Sequence, residues 1–375
     1  MAEVRNILIV GGGIAGLTLA VALERQGFSA ELVERSPDWR AVGAGLLVQA
    51  NGMRVLRGLE LDGAVLEAGT VVGRWVFADQ HGNVLSETDL RALWDDVGPC
   101  VGIARAGLQQ VLVGAVRATP CRLGTSITAL AEDDGRVSVT FTDGSTGDYD
   151  LVVGADGIHS VVRDHTMGRV VPTFAGQLAW RSLARLSLPG PSSVQFWLGE
   201  GCFFGLCAVA DGLTYGFGNA AGERRHDPVE GRLERLRRRF ADFGGTVQDY
   251  LGCLQADEQI HTSPIEWVED AAWRTNRVVL VGDAAHASSP MLGQGGCQAL
   301  EDAWVLARVL RAEPTVERAL AVYATRREPR VSWVQQQSRA VADAFRLPPQ
   351  VRDDLLRQGG AAMLRHRLGP LTADP

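Results

Sequence analysis

The sequence predicts an α/β protein: a Rossmann-like dinucleotide-binding domain, a second domain on a mixed or antiparallel sheet, and C-terminal helices. Three observations carry this. A short apolar run at 6–10 (NILIV) passes straight into a glycine-rich turn and a helical pattern. Two more short apolar runs, in DLVVGADG at 150–157 and RVVLVGD at 277–283, are followed by or end in an acid, as doubly buried parallel strands with functional C-terminal ends do. Between about 172 and 268 the pattern becomes short strands (VQFWL, CFFGLCAV, LTYGFG) separated by Gly199-Glu200-Gly201 and Asp211-Gly212, the turn signals of an antiparallel meander.

The first unit is the most specific. Gly11, Gly13 and Gly16 satisfy G-x-G-x-x-G, with Ile14 and Ala15 between them. The first glycine permits the tight turn, the second lets the backbone approach a pyrophosphate, and the third lets helix and strand pack closely. The helix that follows carries Leu17, Ala20, Val21 and Leu23 on one face and stops at Gly27. Its N-terminus presents free N–H groups and positive dipole to phosphates. The second strand, 30–34, ends on Glu34, followed by Arg35. A carboxylate there accepts hydrogen bonds from ribose hydroxyls and repels a 2′-phosphate.

Composition excludes several classes. The 375 residues carry a formal net charge of -7, which argues against a nucleic-acid partner. All 37 basic residues are arginine, so lysine Schiff-base chemistry, the pyridoxal class and the phosphate-loop lysine are absent. The six cysteines form no C-x-x-C pair and no zinc pattern and read as reduced thiols. No apolar run reaches the ~18 residues of a membrane span, and the glycine motif follows the N-terminus almost directly. The expected location is the cytoplasm.

Only one such glycine fingerprint occurs, so other segments must say which dinucleotide it holds. Residues 154–163 read GADGIHSVVR, and 282–302 contain GDAAH, Pro290, Gly293-Gln294-Gly295-Gly296 and ALEDA. With GAGLLVQANGMRVL at 43–56 and Arg105 in ARAGLQQVL, these segments resemble, in order, the flavin monooxygenase family of para-hydroxybenzoate, salicylate and 3-hydroxybenzoate hydroxylases. The resemblance spans most of residues 5 to 330. It implies non-covalent FAD, NADH or NADPH as co-substrate, O₂, and hydroxylation of an aromatic or polyketide-like small molecule through a flavin C4a-hydroperoxide; a related flavoprotein carrying out epoxidation, desaturation or ring-opening, and a non-enzymatic flavin-binding accessory protein, stand as alternatives. It further implies flavin contacts from Gly45, Arg105, Asp156, Arg163, Asp283, Pro290, Gly293, Gln294, Gly295 and Gly296. The residues agree. Asp283, at a strand's C-terminal end, can hold a ribityl hydroxyl, and the glycines at the next helix's start leave N–H groups free for a flat ring. Alternatives stand beside three of them: Asp156 as a helix cap, Arg163 as a structural ion pair, and His286 as a support for its loop rather than a catalytic group.

The second domain is read as 73–98, a hairpin, with 172–268. The FAD domain is read as 1–72, 99–171 and 269–330, and the C-terminal helices as 331–375. RLERLRRRFADF reads as an amphipathic helix whose arginines form a solvated face. For the substrate pocket, Trp180-Arg181 resembles a pair found in many relatives, with Arg181 gripping a carboxylate or phenolate or else serving a structural salt bridge. Phe204, Tyr215 and Phe217 are placed to stack on a ring or to form plain core, and Leu292 to line the flavin's substrate side. Arg181, Tyr215, Pro290 and His286 are the catalytic candidates. Monomer and homodimer both stay open.

Overall fold

The computed structural model describes residues 4–39, 44–133, 135–190, 192–224, 227–269 and 272–375. Gly43, at the start of the 43–56 segment, lies outside them. The expected parallel sheet is present with five strands in the order Val278–Leu280, Leu151–Gly154, Ile7–Val10, Ala30–Glu34, Cys121–Leu123, every pairing parallel. Alternation of side chains across this sheet explains why both its faces are apolar. Ile7 and Ile9 enter one core with the helices Ile14–Arg25 and Gly295–Ala312. Leu8 and Val10 enter another, beneath an antiparallel sheet of Ile127–Asp133, Arg136–Phe141 and Thr146–Tyr149. That covering sheet was not anticipated from the sequence.

The second sheet has seven strands, in the order His261–Trp267, Thr173–Arg185, Leu213–Ala221, Cys202–Ala210, Ser193–Leu198, Arg74–Asp79, Val84–Asp89. It is mixed: all neighbours are antiparallel except Ser193–Leu198 with Arg74–Asp79. The hairpin near 73–98 thus joins the meander's sheet. One face packs on the helices Arg232–Arg239 and Thr246–Cys253 through Trp197, Phe204, Phe240 and Tyr250. Only Arg238 and Arg239 of the first of these helices are exposed as the solvated-face reading expects; its other arginines are tied into the fold. Arg232 is buried and bonds to Ile260 O and Asp227, Arg235 bonds to Asp227, and Arg237 bonds to the carbonyls of Leu251 and Leu254. A helix end with orphan carbonyls consumes such donors.

A small sheet of Gly45–Val48, Cys100–Ala104 and Thr70–Val72 joins the two halves. A β-carbon on Gly102 would lie 2.2 Å from Ala208 O, so the strand Cys202–Ala210 crosses it at backbone distance. At the C-terminus, Val316–Phe345 is one helix running through Pro329, and Pro349–Leu368 folds back as another. The boundary read at 330/331 therefore falls inside a helix. Among the described residues no helix is long and apolar enough to cross a membrane.

Candidate flavin and substrate site

A cavity of about 620 Å³ lies between the C-terminal ends of the parallel strands and the free face of the seven-stranded sheet. Ligands of open α/β sheets bind at such strand ends. Gly13, Ile14, Ala15, Gly45, Arg105, Asp283, Pro290, Gly293, Gly295 and Gly296 line its floor and rim. The three motif glycines differ in what surrounds them. Gly11 has φ +109°, and a β-carbon on it would lie 2.4 Å from Ala155 O. One on Gly16 would lie 1.9 Å from Gly11 O. One on Gly13 would meet nothing within 4 Å, so this glycine leaves space for a ligand rather than for the fold.

At the strand end, Glu34 accepts from the N–H groups of Gly12 (2.7 Å) and Ser36 (2.8 Å). Each of its oxygens keeps a second lone pair, the capacity a ribose diol needs. Arg35 is exposed and lies off the cavity lining. Sequence reasoning missed Trp39, whose ring packs on Gly12 so closely that a β-carbon there would lie 2.6 Å from Cζ3. The middle glycine of GGG serves that contact; a lone tryptophan gives no spacing signal.

Four other candidates sit behind the wall rather than in it. Asp156 caps the helix Val161–Thr166: its Oδ2 accepts from Val161 N (2.7 Å) and Val162 N (3.1 Å), and burial pushes its carboxyl above the ordinary range despite these donors. Arg163 is 1% exposed and gives its guanidinium to Ala284 O and Ile158 O, both at 2.8 Å. It thereby ties together the loops that carry His159 and Asp283 to the cavity. His286 is buried, with Nε2 2.5 Å from Asp302 Oδ2 and Trp273 tilted over its ring at 5.0 Å. Gln294 is buried and exchanges amide hydrogen bonds with Asn51.

These residues belong to a buried polar network that the sequence did not disclose. Arg327, 0% exposed, donates to Asp302 Oδ1 (2.7 Å), Glu301 Oε2 (2.7 Å) and Gln298 Oε1 (2.7 Å). Arg330 donates to both oxygens of Glu301, and Asn51 to Glu301 Oε1. Asp302 also accepts from Gly282 N (2.8 Å), which sets the turn presenting Asp283. Burial raises both carboxyls, but the charges of Arg327 and Arg330 on Glu301, and of His286 and Arg327 on Asp302, hold them below the ordinary carboxylate range. Gln49 donates to Leu292 O (2.6 Å) and pins the loop before the helix Gly295–Ala312.

The roof is the free face of the seven-stranded sheet, where Arg181, Tyr215 and Phe217 point into the cavity with Phe196, Phe203 and Trp75. Trp180 and Phe204 alternate to the opposite face, where both rings pack on Phe240. They are core, not pocket. Leu292 is 1% exposed and lies off this lining, whereas Met291 beside it lies on it. Arg181 donates to Ser263 Oγ (2.8 Å). Tyr215 rests on Gly45, where a β-carbon would lie 2.7 Å from its ring, so Gly45 seats a roof residue as well as lining the cavity. Burial pushes the Tyr215 phenol up against the opposing pull of Arg181. Burial pushes His261, paired across the strands with Arg181, down, and the neighbouring arginines push it further.

Open space at Gly13, the N–H-bearing start of an 18-residue helix at Gly295, a cavity-facing Asp283 and an enclosed aromatic roof define a protein that holds a flavin dinucleotide beside an organic substrate. The chain belongs to the family described as FAD binding domain, whose model matches residues 5–338. It is 35% identical over 322 residues to aurachin C monooxygenase/isomerase of Stigmatella aurantiaca, covering 85% of this chain and 84% of that protein. It is also 35% identical over 354 residues to 3-amino-4-hydroxybenzoate 2-monooxygenase of Streptomyces cremeus, covering 92% and 88%. The fold matches Klebsiella pneumoniae HpxO complexed with FAD and uric acid, with a TM-score of 0.92, 26% identity and coverage of 99% and 97%. The protein is an FAD-dependent monooxygenase.

Proposed function

We propose that this monooxygenase uses NADH or NADPH to hydroxylate an electron-rich aromatic small molecule held between the flavin floor and the aromatic roof. The observation that carries this reading is the roof itself. Tyr215, Phe217, Phe203 and Phe196 form a continuous set of ring contacts with centroids 5.0 to 6.2 Å apart on the face opposite Gly295. Offset and edge-on ring contacts favour a flat aromatic guest. The relatives named above for 3-amino-4-hydroxybenzoate and uric acid point to ring substrates as well.

FAD, when bound, supplies the activation of dioxygen. The chain's own residues bind, orient and exclude water. Gly13 and the helix start at Gly295 leave room and N–H donors for the dinucleotide. The apolar roof keeps bulk water from the reacting edge. Arg181, steadied by Ser263 and beside Tyr215, holds an anionic or phenolic substituent and so fixes which ring carbon faces the flavin.

The test is oxidation of NADH and NADPH by FAD-loaded protein against phenols, aromatic acids and polyketide aromatics, with peroxide and product mass measured together. Stimulated oxidation, little peroxide and a product heavier by one oxygen atom are expected. Oxidation that no ring compound stimulates overturns the reading. Arg181→Gln is expected to raise KM for the stimulating ring by about 10- to 100-fold, the ~1.5–3 kcal/mol of a charged hydrogen bond, with FAD affinity unchanged.

A further inference from the structure

The roof changes character along the strand order. Arg181 on Thr173–Arg185 and Ser263 on His261–Trp267 make one end polar. Tyr215 and Phe217 follow on the next strand, then Phe203, then Phe196, and finally Trp75 on Arg74–Asp79. From Arg181 to Trp75 is four interstrand steps, roughly 19 Å at the ~4.8 Å spacing of paired strands. Past Tyr215 the side chains on that path are aromatic rings.

The path does not end at Trp75. A second cavity, about 50 Å³, begins there, with Trp75 and Met291 in the walls of both. It runs under the two C-terminal helices between Phe77, Val341, Phe345, Leu356 and Met363 and reaches Leu347 and Leu355, which are 36% and 47% exposed. A volume of that size admits on the order of four water- or methylene-sized groups, and an apolar cavity stays dry and binds apolar guests. Two arginines stand in its wall: Arg352 is committed elsewhere, to the carbonyls of Leu198 and Gly199 and the carboxylate of Asp353, and half-buried Arg367 lies among its lining residues. Met291, unbranched and flexible, is suited to yield between the two spaces.

We propose that this annex receives an apolar chain on the substrate, so that the enzyme takes a ring bearing a linear aliphatic tail. The polar substituent sits at Arg181, the ring lies under Tyr215 and Phe217, and the tail passes Trp75 and Met291 to lie beneath the helices Val316–Phe345 and Pro349–Leu368. This rests on the aromatic reading above and names the substrate class for the same site. Ala344, which lines the annex away from the ring-binding face, is the position at which to fill it.

The experiment titrates FAD-loaded protein with 4-methyl-, 4-heptyl- and 4-dodecylphenol, reading the flavin absorbance change, and repeats it with Ala344→Phe. Each buried methylene is expected to tighten Kd by about fourfold, the equivalent of ~0.8 kcal/mol, until the annex is full. In the Ala344→Phe protein the increment between the heptyl and dodecyl congeners is expected to vanish, while the methyl and heptyl congeners bind as before. Melting of both proteins confirms that the variant is folded, and Val341→Phe repeats the test from one turn earlier on the same helix if it is not. Phenols that bind equally whatever their tail overturn the annex and leave the aromatic reading standing. A series in which no member binds at any length overturns both.

Discussion

The floor and roof of the main cavity are built on opposite plans. The floor presents backbone: Gly13, Gly293, Gly295 and Gly296 contribute space and N–H groups, and the side chains that shape it lie behind it. The roof presents side chains: Arg181, Tyr215, Phe217 and Trp75 project from strands whose alternate residues face a separate core. The floor is braced by buried ions and amides, the roof by ring packing. A cofactor shared by a whole family can be read through backbone geometry, whereas a particular substrate has to be read through side chains that are free to differ.

The comparison breaks first at the brace. Arg327→Met leaves Glu301 and Asp302 buried with their principal shared cation gone, and is expected to cost about 3–5 kcal/mol in denaturant unfolding. The sign with pH follows from the same contacts. Both carboxyls are held below the ordinary range, so the stability they contribute is full above their unfolded values, roughly 4, and is lost as pH falls through the folded ones. Removing Arg327 lets burial act with less opposition, so the acid-induced loss is expected to move to higher pH. An acid midpoint unchanged in the variant shows that the network is not what braces the floor.

The next two effects separate fold from ligand within one motif. Gly16→Ala drives a methyl into Gly11 O and is expected to cost about 3 kcal/mol, at the upper end of overpacking, with or without FAD. Gly13→Ala is expected to leave the melting temperature of the FAD-free protein unchanged, because its φ of -79° suits alanine and nothing lies within 4 Å. The same change is expected to weaken FAD by roughly a hundredfold, about 2.7 kcal/mol. Equal FAD affinity in Gly13→Ala and wild type removes the pyrophosphate from that opening.

Legibility follows the same division. Gly11 and Gly16 were readable because a side chain there would collide with backbone, Gly13 and Gly295 because they leave open the space a ligand needs, and such constraints repeat at fixed spacing. Arg163, Asp156, His286 and Gln294 were readable as important but not as to where they point, since a motif preserves a side chain equally whether it touches the ligand or holds the loop that does. The structure puts all four behind the wall. Arg327 and Trp39 were not readable at all: their partners lie far away in sequence or on a bare glycine, with no periodicity to mark them. The covering sheet 127–149 escaped for a related reason, as its strands are half exposed and polar on one side.

The smallest effect tests the roof, where period-two alternation does the sorting that composition cannot. Phe204 and Phe217 sit on neighbouring strands, and Phe204 is paired in register with Gly218, the residue next to Phe217. Phe204 is 1% exposed among Phe240 and Tyr250, while Phe217 is half-buried in the cavity wall beside Tyr215. Phe204→Leu is expected to cost about 1–1.5 kcal/mol of stability and to leave KM for the ring substrate alone. Phe217→Leu is expected to do the reverse, with stability nearly unchanged and KM raised about two- to tenfold, the ~0.5–1.5 kcal/mol of one aromatic contact. Chemical denaturation and steady-state kinetics on the two variants read this directly. If both variants lose stability and neither changes KM, the free face of the sheet is core like its other face, and the ring must be held from the floor alone.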